Sequence, residues 1–255
     1  MSDAERRRAI VDFLRDRPFA SVRDLQDRLG VSAATVRRDI DKVDGLGAAR
    51  KVYGGVSALQ PTPAAAFALP YAENRDLAVD AKGCIAEAAA TMVQDGDSII
   101  INGGSTCFQL GVRLVERSIR LFTNSMPLVT YMSEHGRCSL TVAGGDLYRE
   151  PRILHSAVPV PFYASKFFLG AQGISAEGVL ESHPLLVRAV QQLSENVDQI
   201  IVLADSRKFS IRARNVALPL SRIDTIVTDN RLPDAAARML EDEGIKVKIT
   251  EATAA

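Results

Sequence analysis

The sequence predicts an α/β chain in two parts: a small N-terminal unit of helices with a β-hairpin, then a larger unit built on a parallel sheet. Three observations carry that reading. Ser21 to Gly55 reads SVRDLQDRLGVSAATVRRDIDKVDGLGAARKVYGG, two short amphipathic patterns around a glycine, followed by a basic stretch that ends in paired glycine. Gln60-Pro-Thr-Pro-Ala-Ala-Ala-Phe is a Pro/Ala-rich interruption in which no helix starts until the prolines are passed. Beyond it, short apolar runs repeatedly end in small or polar residues. The expected boundaries are 1–58, a linker over 59–70, and 71–255.

The elements follow in order. MSDAERRRAI opens a charged, capped helix without the apolar core of a signal peptide, and no apolar run is long enough to span a bilayer. A cytoplasmic protein with no membrane partner is expected. Ser21 caps the next helix, Asp24 completes a capping box, and Val22, Leu25 and Leu29 share one face. Gly30 ends that helix, and Ser32 offers its hydroxyl to the unpaired N–H groups of another, Ala33 to about Val43. On this last helix Val36, Ile40 and Val43 form the buried stripe. That leaves Ser32, Ala34, Thr35, Arg37, Arg38 and Lys42 for the outer surface or its edges.

Small polar residues at a helix N-terminus can approach base edges, and cations beside them can hold phosphates, so the helix pair has the layout of a DNA-reading helix-turn-helix. The sequel is more specific. From Arg50 to Gly55, adjacent cations and a glycine turn suit a β-wing laid along the sugar-phosphate backbone, directing Arg50, Lys51 and Tyr53 to DNA. Asp39 is read as a cap or an intradomain ion-pair partner, because phosphates repel a carboxylate.

In the second part, helical periodicity resumes over Tyr71 to Val93 with an apolar face through Cys84, Ile85, Ala88, Ala89 and Met92. Strand-like runs follow. Ser98–Ile101 leads into Asn102-Gly103-Gly104-Ser105-Thr106, Arg120–Phe122 into Thr123-Asn124-Ser125, and Leu140–Val142 into Ala143-Gly144-Gly145-Asp146. Lys166–Leu169 leads into Gly170-Ala171-Gln172-Gly173, Ile200–Leu203 into Ala204-Asp205-Ser206-Arg207-Lys208, and Thr225–Val227 into Thr228-Asp229. Buried parallel strands alternating with helices gather such loops on one rim, where helix N-termini and close backbone approach hold anions. A helix from Cys107 to about Leu114 would aim its N–H groups at a phosphate beside Ser105 and Thr106, with Lys208 as a point charge and Asp205 accepting sugar hydroxyls.

Composition narrows the classes. The chain holds 31 Lys/Arg and 31 Asp/Glu, yet residues 1–60 carry twelve of the former against nine of the latter, an excess in the direction that DNA binding requires. So small an excess places the burden on Arg37, Arg38, Arg50 and Lys51 and on more than one copy per assembly, so a homo-oligomer, dimer or tetramer, is expected. Cys84, Cys107 and Cys138 are widely spaced with no C-x-x-C pair, and His135, His155 and His183 form no ligand cluster with them. Neither a metal nor a cofactor is expected.

Ser32-Ala-Ala-Thr35-Val-Arg37-Arg38-Asp39-Ile40 and Arg50-Lys51-Val52-Tyr53-Gly54-Gly55 resemble the winged helix of the DeoR family of bacterial transcription regulators, with Tyr53 where many members have histidine. The resemblance continues through Asn102-Gly103-Gly104-Ser105-Thr106, Thr123-Asn124-Ser125, Gly144-Gly145 and Asp205-Ser206-Arg207-Lys208-Phe209. It implies a C-terminal sensor domain resembling sugar-phosphate isomerases in fold. Asn102 replaces the family's usual acid, and the segment Glu181-Ser182-His183-Pro184-Leu185-Leu186-Val187-Arg188 lacks the expected helix glutamate. These two departures are similar to the branch that controls L-ascorbate utilisation.

The resulting expectation is a repressor of a carbohydrate-utilisation operon, not an enzyme, that binds double-stranded operator DNA and responds to a phosphorylated sugar or sugar acid. Its effector site is expected at Asn102, Gly103, Gly104, Ser105, Thr106, Asn124, Gly144, Gly145, Gln172, Asp205 and Lys208. The alternative is a sugar-phosphate isomerase with an accessory DNA-binding domain. That chemistry requires a carboxylate base beside a cation, for which Glu177, Glu181, Asp146 and Asp205 are the candidates.

Overall fold

The computed structural model describes residues 3–16, 19–46, 48–52, 54–57, 71–156 and 161–251, and the chain divides into two compact units, Met1–Phe67 and Ala68–Ala255. The expected linker lies outside the described residues. The first unit contains α1 (Asp3–Asp16), β1 (Phe19–Ser21), α2 (Val22–Leu29), α3 (Ala33–Gly45), β2 (Arg50–Val52) and β3 (Gly55–Ser57). Ile10, Leu14, Leu25, Val36, Ile40, Val43 and Val56 fill its core. Ser21 and Asp24 form the reciprocal capping box, and left-handed Gly30, at φ 66°, closes α2 and turns the chain toward α3. The wing is antiparallel, and its third strand was not expected. Phe19–Ser21 joins β3 on the side opposite β2.

The second unit opens with α4 (Tyr71–Arg75) and α5 (Val79–Ala90), followed by β4 (Ser98–Ile101), α6 (Ser105–Arg113), β5 (Arg120–Thr123), α7 (Met126–His135) and β6 (Ser139–Val142). A hairpin, β7 (Asp146–Tyr148) and β8 (Ile153–His155), leads to β9 (Ala164–Gly170), β10 (Gly173–Ser175), β11 (Gly178–Glu181) and α8 (Pro184–Leu193). The chain then runs through β12 (Val197–Leu203), a 3-10 turn (Ser206–Ser210), β13 (Asn215–Leu218), β14 (Thr225–Asp229), α9 (Asp234–Asp242) and β15 (Lys246–Thr250).

Seven strands form one sheet in the order β15-β14-β12-β9-β4-β5-β6, with every pair parallel. Both faces are buried, which explains the continuous apolar runs. Ile99, Ile101, Leu121, Phe168, Ile201 and Leu203 pack beneath α5, α6 and α7, whereas Ile100, Phe122, Phe167, Leu169, Ile200 and Val202 pack with Val190 of α8 and Leu240 of α9. β10, β11 and β13 make a small separate antiparallel sheet.

Two expectations need correction. Tyr71 to Val93 is not one helix: the chain breaks between α4 and α5 at Ala78, which takes a left-handed φ of 48° without being glycine. The helix expected from Cys107 starts two residues earlier, so Ser105 and Thr106 form its first turn.

Candidate functional sites

On the first unit, α3 presents the residues expected to face DNA. Ser32 caps it, accepting a hydrogen bond from the Thr35 N–H at 3.3 Å, and the two hydroxyls lie 3.0 Å apart. Arg37, Arg38, Lys42 and Arg50 are exposed, and Arg37, Arg38 and Arg50 make no ion pair with another described residue. Asp39 faces inward instead. It is 4% exposed and accepts from Arg6 Nε at 2.8 Å, which ties α1 to α3. Lys51 is exposed but already engaged. Its backbone N–H donates to Asp44 and its ammonium pairs with Asp41 at 2.5 Å, so the wing is braced against α3. Tyr53 lies outside the described residues.

On the second unit, strand order selects a place. The chain leaves β4 toward β5 and β6 on one side, while β9, β12, β14 and β15 fill the other, so the order reverses between β4 and β9. In open α/β sheets the crevice at the strands' C-terminal ends beside such a reversal is where ligands bind. Asn102 follows β4 there, its N–H donating to Phe168 O at 3.0 Å. Ser105 and Thr106 open α6 behind Gly104, whose positive φ of 152° favours glycine, and Gln172 and Asp205 follow β9 and β12. These groups share one rim. Buried Asn102 leaves its Oδ1 without a partner among the described residues.

The loop after β12 is fixed from below. Buried Asp229 accepts from Ser206 N–H at 2.6 Å, Ser206 Oγ at 3.0 Å and Arg231 Nε at 2.9 Å. Asp205 is held on both oxygens by Arg207, at 2.7 and 3.0 Å, so it acts first as the anchor of that arginine. Burial would raise the Asp205 carboxyl, but Arg207, Lys208 and Lys82 outweigh it and hold it below the usual range. Lys208 is half-buried, and its burial lowers the ammonium against the pull of Asp205 and Glu181.

The other expected residues are distributed differently. Asn124 bridges: its Oδ1 accepts from Gly103 N–H at 2.8 Å while buried Nδ2 has no partner among the described residues. Gly103 itself is covered, because a Cβ there would stand 2.3 Å from Ile153 of the β7–β8 hairpin. Gly144 and Gly145 stand at the same end of the sheet but to one side of β4. They follow β6, two strands from β4, where the close approach of His155 O to Gly145 shows them feeding the hairpin.

Two residues absent from the expected effector set lie near Asp205 and Lys208. Glu181, at the end of β11, is 9% exposed; burial pushes its carboxyl up to about 7, and Lys208 opposes that rise. Lys82 sits in the first turn of α5, 1% exposed, with its ammonium donating to the Asn74 carbonyl. Its burial lowers it to about 7, with Asp205 pulling the other way. One sign was available for Lys82: it shares the stripe of Ile85, Ala86 and Ala89, where a cation is out of place. Of the other carboxylates considered as bases, Glu177 and Asp146 are exposed.

Comparison with known proteins is consistent across both units. The DeoR-like helix-turn-helix domain matches residues 6–62, and the DeoR C terminal sensor domain matches residues 77–230. The chain belongs to the DeoR family. Similar DeoR-type relatives include the HTH-type transcriptional regulator UlaR of Shigella dysenteriae serotype 1 and of Escherichia coli K12, each 31% identical over 252 residues, covering 97% of this chain and 99% of the relative. This DeoR-family chain is a DNA-binding transcription regulator of the UlaR type. Among solved structures, ribose 5-phosphate isomerase A from Methanocaldococcus jannaschii aligns with 50% of this chain and 53% of its own at 18% identity and a TM-score of 0.37. eIF2B beta from Chaetomium thermophilum aligns with 65% and 54% at 15% identity and 0.41. Among the described residues, no helix is long and apolar enough to cross a membrane.

Proposed function

We propose that this protein is a cytoplasmic repressor of a carbohydrate-utilisation operon, acting as a homo-oligomer, dimer or tetramer, and controlled by a phosphorylated sugar or sugar acid held at the C-terminal rim between β4 and β9. The observation that carries the reading is the rim itself. At the reversal of strand order, the first turn of α6 offers N–H groups and the Ser105 and Thr106 hydroxyls, and Lys208 adds a cation beside a carboxylate-anchored arginine. Helix N-termini and cations together bind phosphate, while the unpartnered Asn102 Oδ1 and the Glu181 carboxyl suit the hydroxyls of a sugar. Exposed Arg37, Arg38 and Arg50 suit operator phosphates and base edges. An effector acts by binding the DNA-competent and DNA-incompetent arrangements unequally.

Titrating the purified protein with phosphorylated sugars and sugar acids tests the rim directly. Lys208→Ala removes a charge-assisted contact of about 1.5–3 kcal/mol and should weaken effector binding roughly ten- to a hundredfold. Equal affinity for parent and variant contradicts the placement.

One observation favours a second reading, a sugar-phosphate isomerase. Glu181 is raised to about 7 beside the Lys208 cation, the pairing a proton-abstracting base needs. Turnover of a phosphorylated aldose to its ketose, lost in Glu181→Gln, would favour the enzyme; binding without turnover favours the regulator.

A further inference from the structure

We infer that Lys82 belongs to the effector site and ties it to α4, the helix that follows the linker: an anion at the rim competes with Asn74 for the Lys82 ammonium. This rests on the rim reading above. Because α5 leads into β4 and packs on the sheet, it runs against the strands, which brings its first turn to their C-terminal ends. Lys82 lies in that turn, and both of its hydrogen-bond partners among the described residues belong to Asn74: the main-chain carbonyl, and Oδ1 at 3.5 Å. The charges around it are Asp76 from the α4–α5 turn and Asp205, Arg207 and Lys208 from the loop after β12. None of these is in contact with the ammonium among the described residues. A buried cation held by neutral oxygens alone is poorly compensated, and an anionic ligand at the rim supplies what is missing.

Asn74 gives that transfer a consequence. Its carbonyl also accepts from Leu77 N–H at 3.3 Å, closing the turn into left-handed Ala78. At the other end of α4, Tyr71 N–H donates to Glu150 O of the β7–β8 hairpin at 2.9 Å. The Tyr71 ring packs edge-on to Phe108 of α6 at 6.4 Å and lies under the Arg152 guanidinium at 5.6 Å. α4 is therefore held by Lys82 on one side and on the other by the hairpin that covers Gly103. Drawing Lys82 from Asn74 loosens the first hold and leaves the second.

The test uses the full-length protein with inorganic phosphate as the probe, at constant ionic strength in chloride. Parent, Lys82→Met and Lys208→Ala are compared for phosphate affinity, and the parent for hydrogen exchange over 71–77 with and without saturating phosphate. Lys82→Met should weaken phosphate binding at least tenfold, and phosphate should speed exchange of the α4 amides several-fold in the parent. Loss of affinity in Lys208→Ala with none in Lys82→Met overturns this inference and leaves the rim reading standing. Absence of phosphate binding to the parent overturns both. Should Lys82→Met fail to fold, the parent's exchange decides: α4 protection unchanged at saturation rejects the coupling.

Discussion

Glu181 is a costly residue in the folded chain, and its cost has a pH signature. Its folded pKa of about 7 stands above the ordinary 4.5, so the native state holds this proton where the unfolded chain has released it. The contribution to stability is complete below about pH 4.5 and is lost as pH rises through about 7. Glu181→Gln keeps the shape without the charge and should stabilise the protein on the order of 3 kcal/mol at pH 8 relative to parent, with the gain disappearing near pH 4.5. Parallel denaturation curves at the two pH values check this; an equal effect at both contradicts the burial argument. For Arg37 and Arg38, exposed on α3, each change to alanine should weaken operator binding, and at least one should lower the salt dependence by about one phosphate equivalent. Salt titrations of operator affinity read this out, and unchanged affinity in both variants removes α3 from the groove. Lys51 differs because it starts paired with Asp41. If it contacts backbone phosphate, Lys51→Ala should cost specific and random duplexes about equally; a loss confined to the specific site would make the wing a reader of bases.

At the scale of elements, the capping box of α2 sets the corner on which α3 is presented. Ser21→Ala removes the hydroxyl that receives the Asp24 N–H at 3.1 Å and should cost about 1 kcal/mol, seen as faster hydrogen exchange in α2. This corner was legible because caps and a helix-ending glycine are local chemistry. The central strands were legible too, since both faces of the sheet are buried along the apolar runs that end β4, β9 and β12 and fill the middle of β5. β1 has three residues and β15 reads KVKIT, a charged alternation at the sheet edge, so neither gave a comparable pattern. The break at Ala78 was illegible for a different reason. Left-handed backbone at alanine costs about 1–2 kcal/mol and is sustained here by tertiary contacts, including the hold of Lys82 on Asn74. The proposed rim residues at strand ends stand in recognisable loops of the sequence; Lys82 and Glu181 arrive from α5 and β11, which only the assembled fold brings to Lys208. The hairpin that follows Gly144 and Gly145 was not legible, because a glycine pair after a strand looks alike whether it faces a ligand or starts a hairpin.

At the scale of the whole molecule, one chain carries a DNA-facing unit with a small basic excess and a second unit whose sheet gathers cations and N–H groups on one rim. Regulation requires that the two be thermodynamically linked, so that effector changes DNA affinity by the same factor by which DNA changes effector affinity. The most direct measurement is binding of the full-length protein to the DNA upstream of its own gene at fixed salt, repeated with each phosphorylated sugar and sugar acid of the panel. Specific binding that at least one phosphorylated compound weakens, with the unphosphorylated form inert, is the expected result. Specific binding that none of them changes, or no preference for that DNA over random duplex, would contradict it.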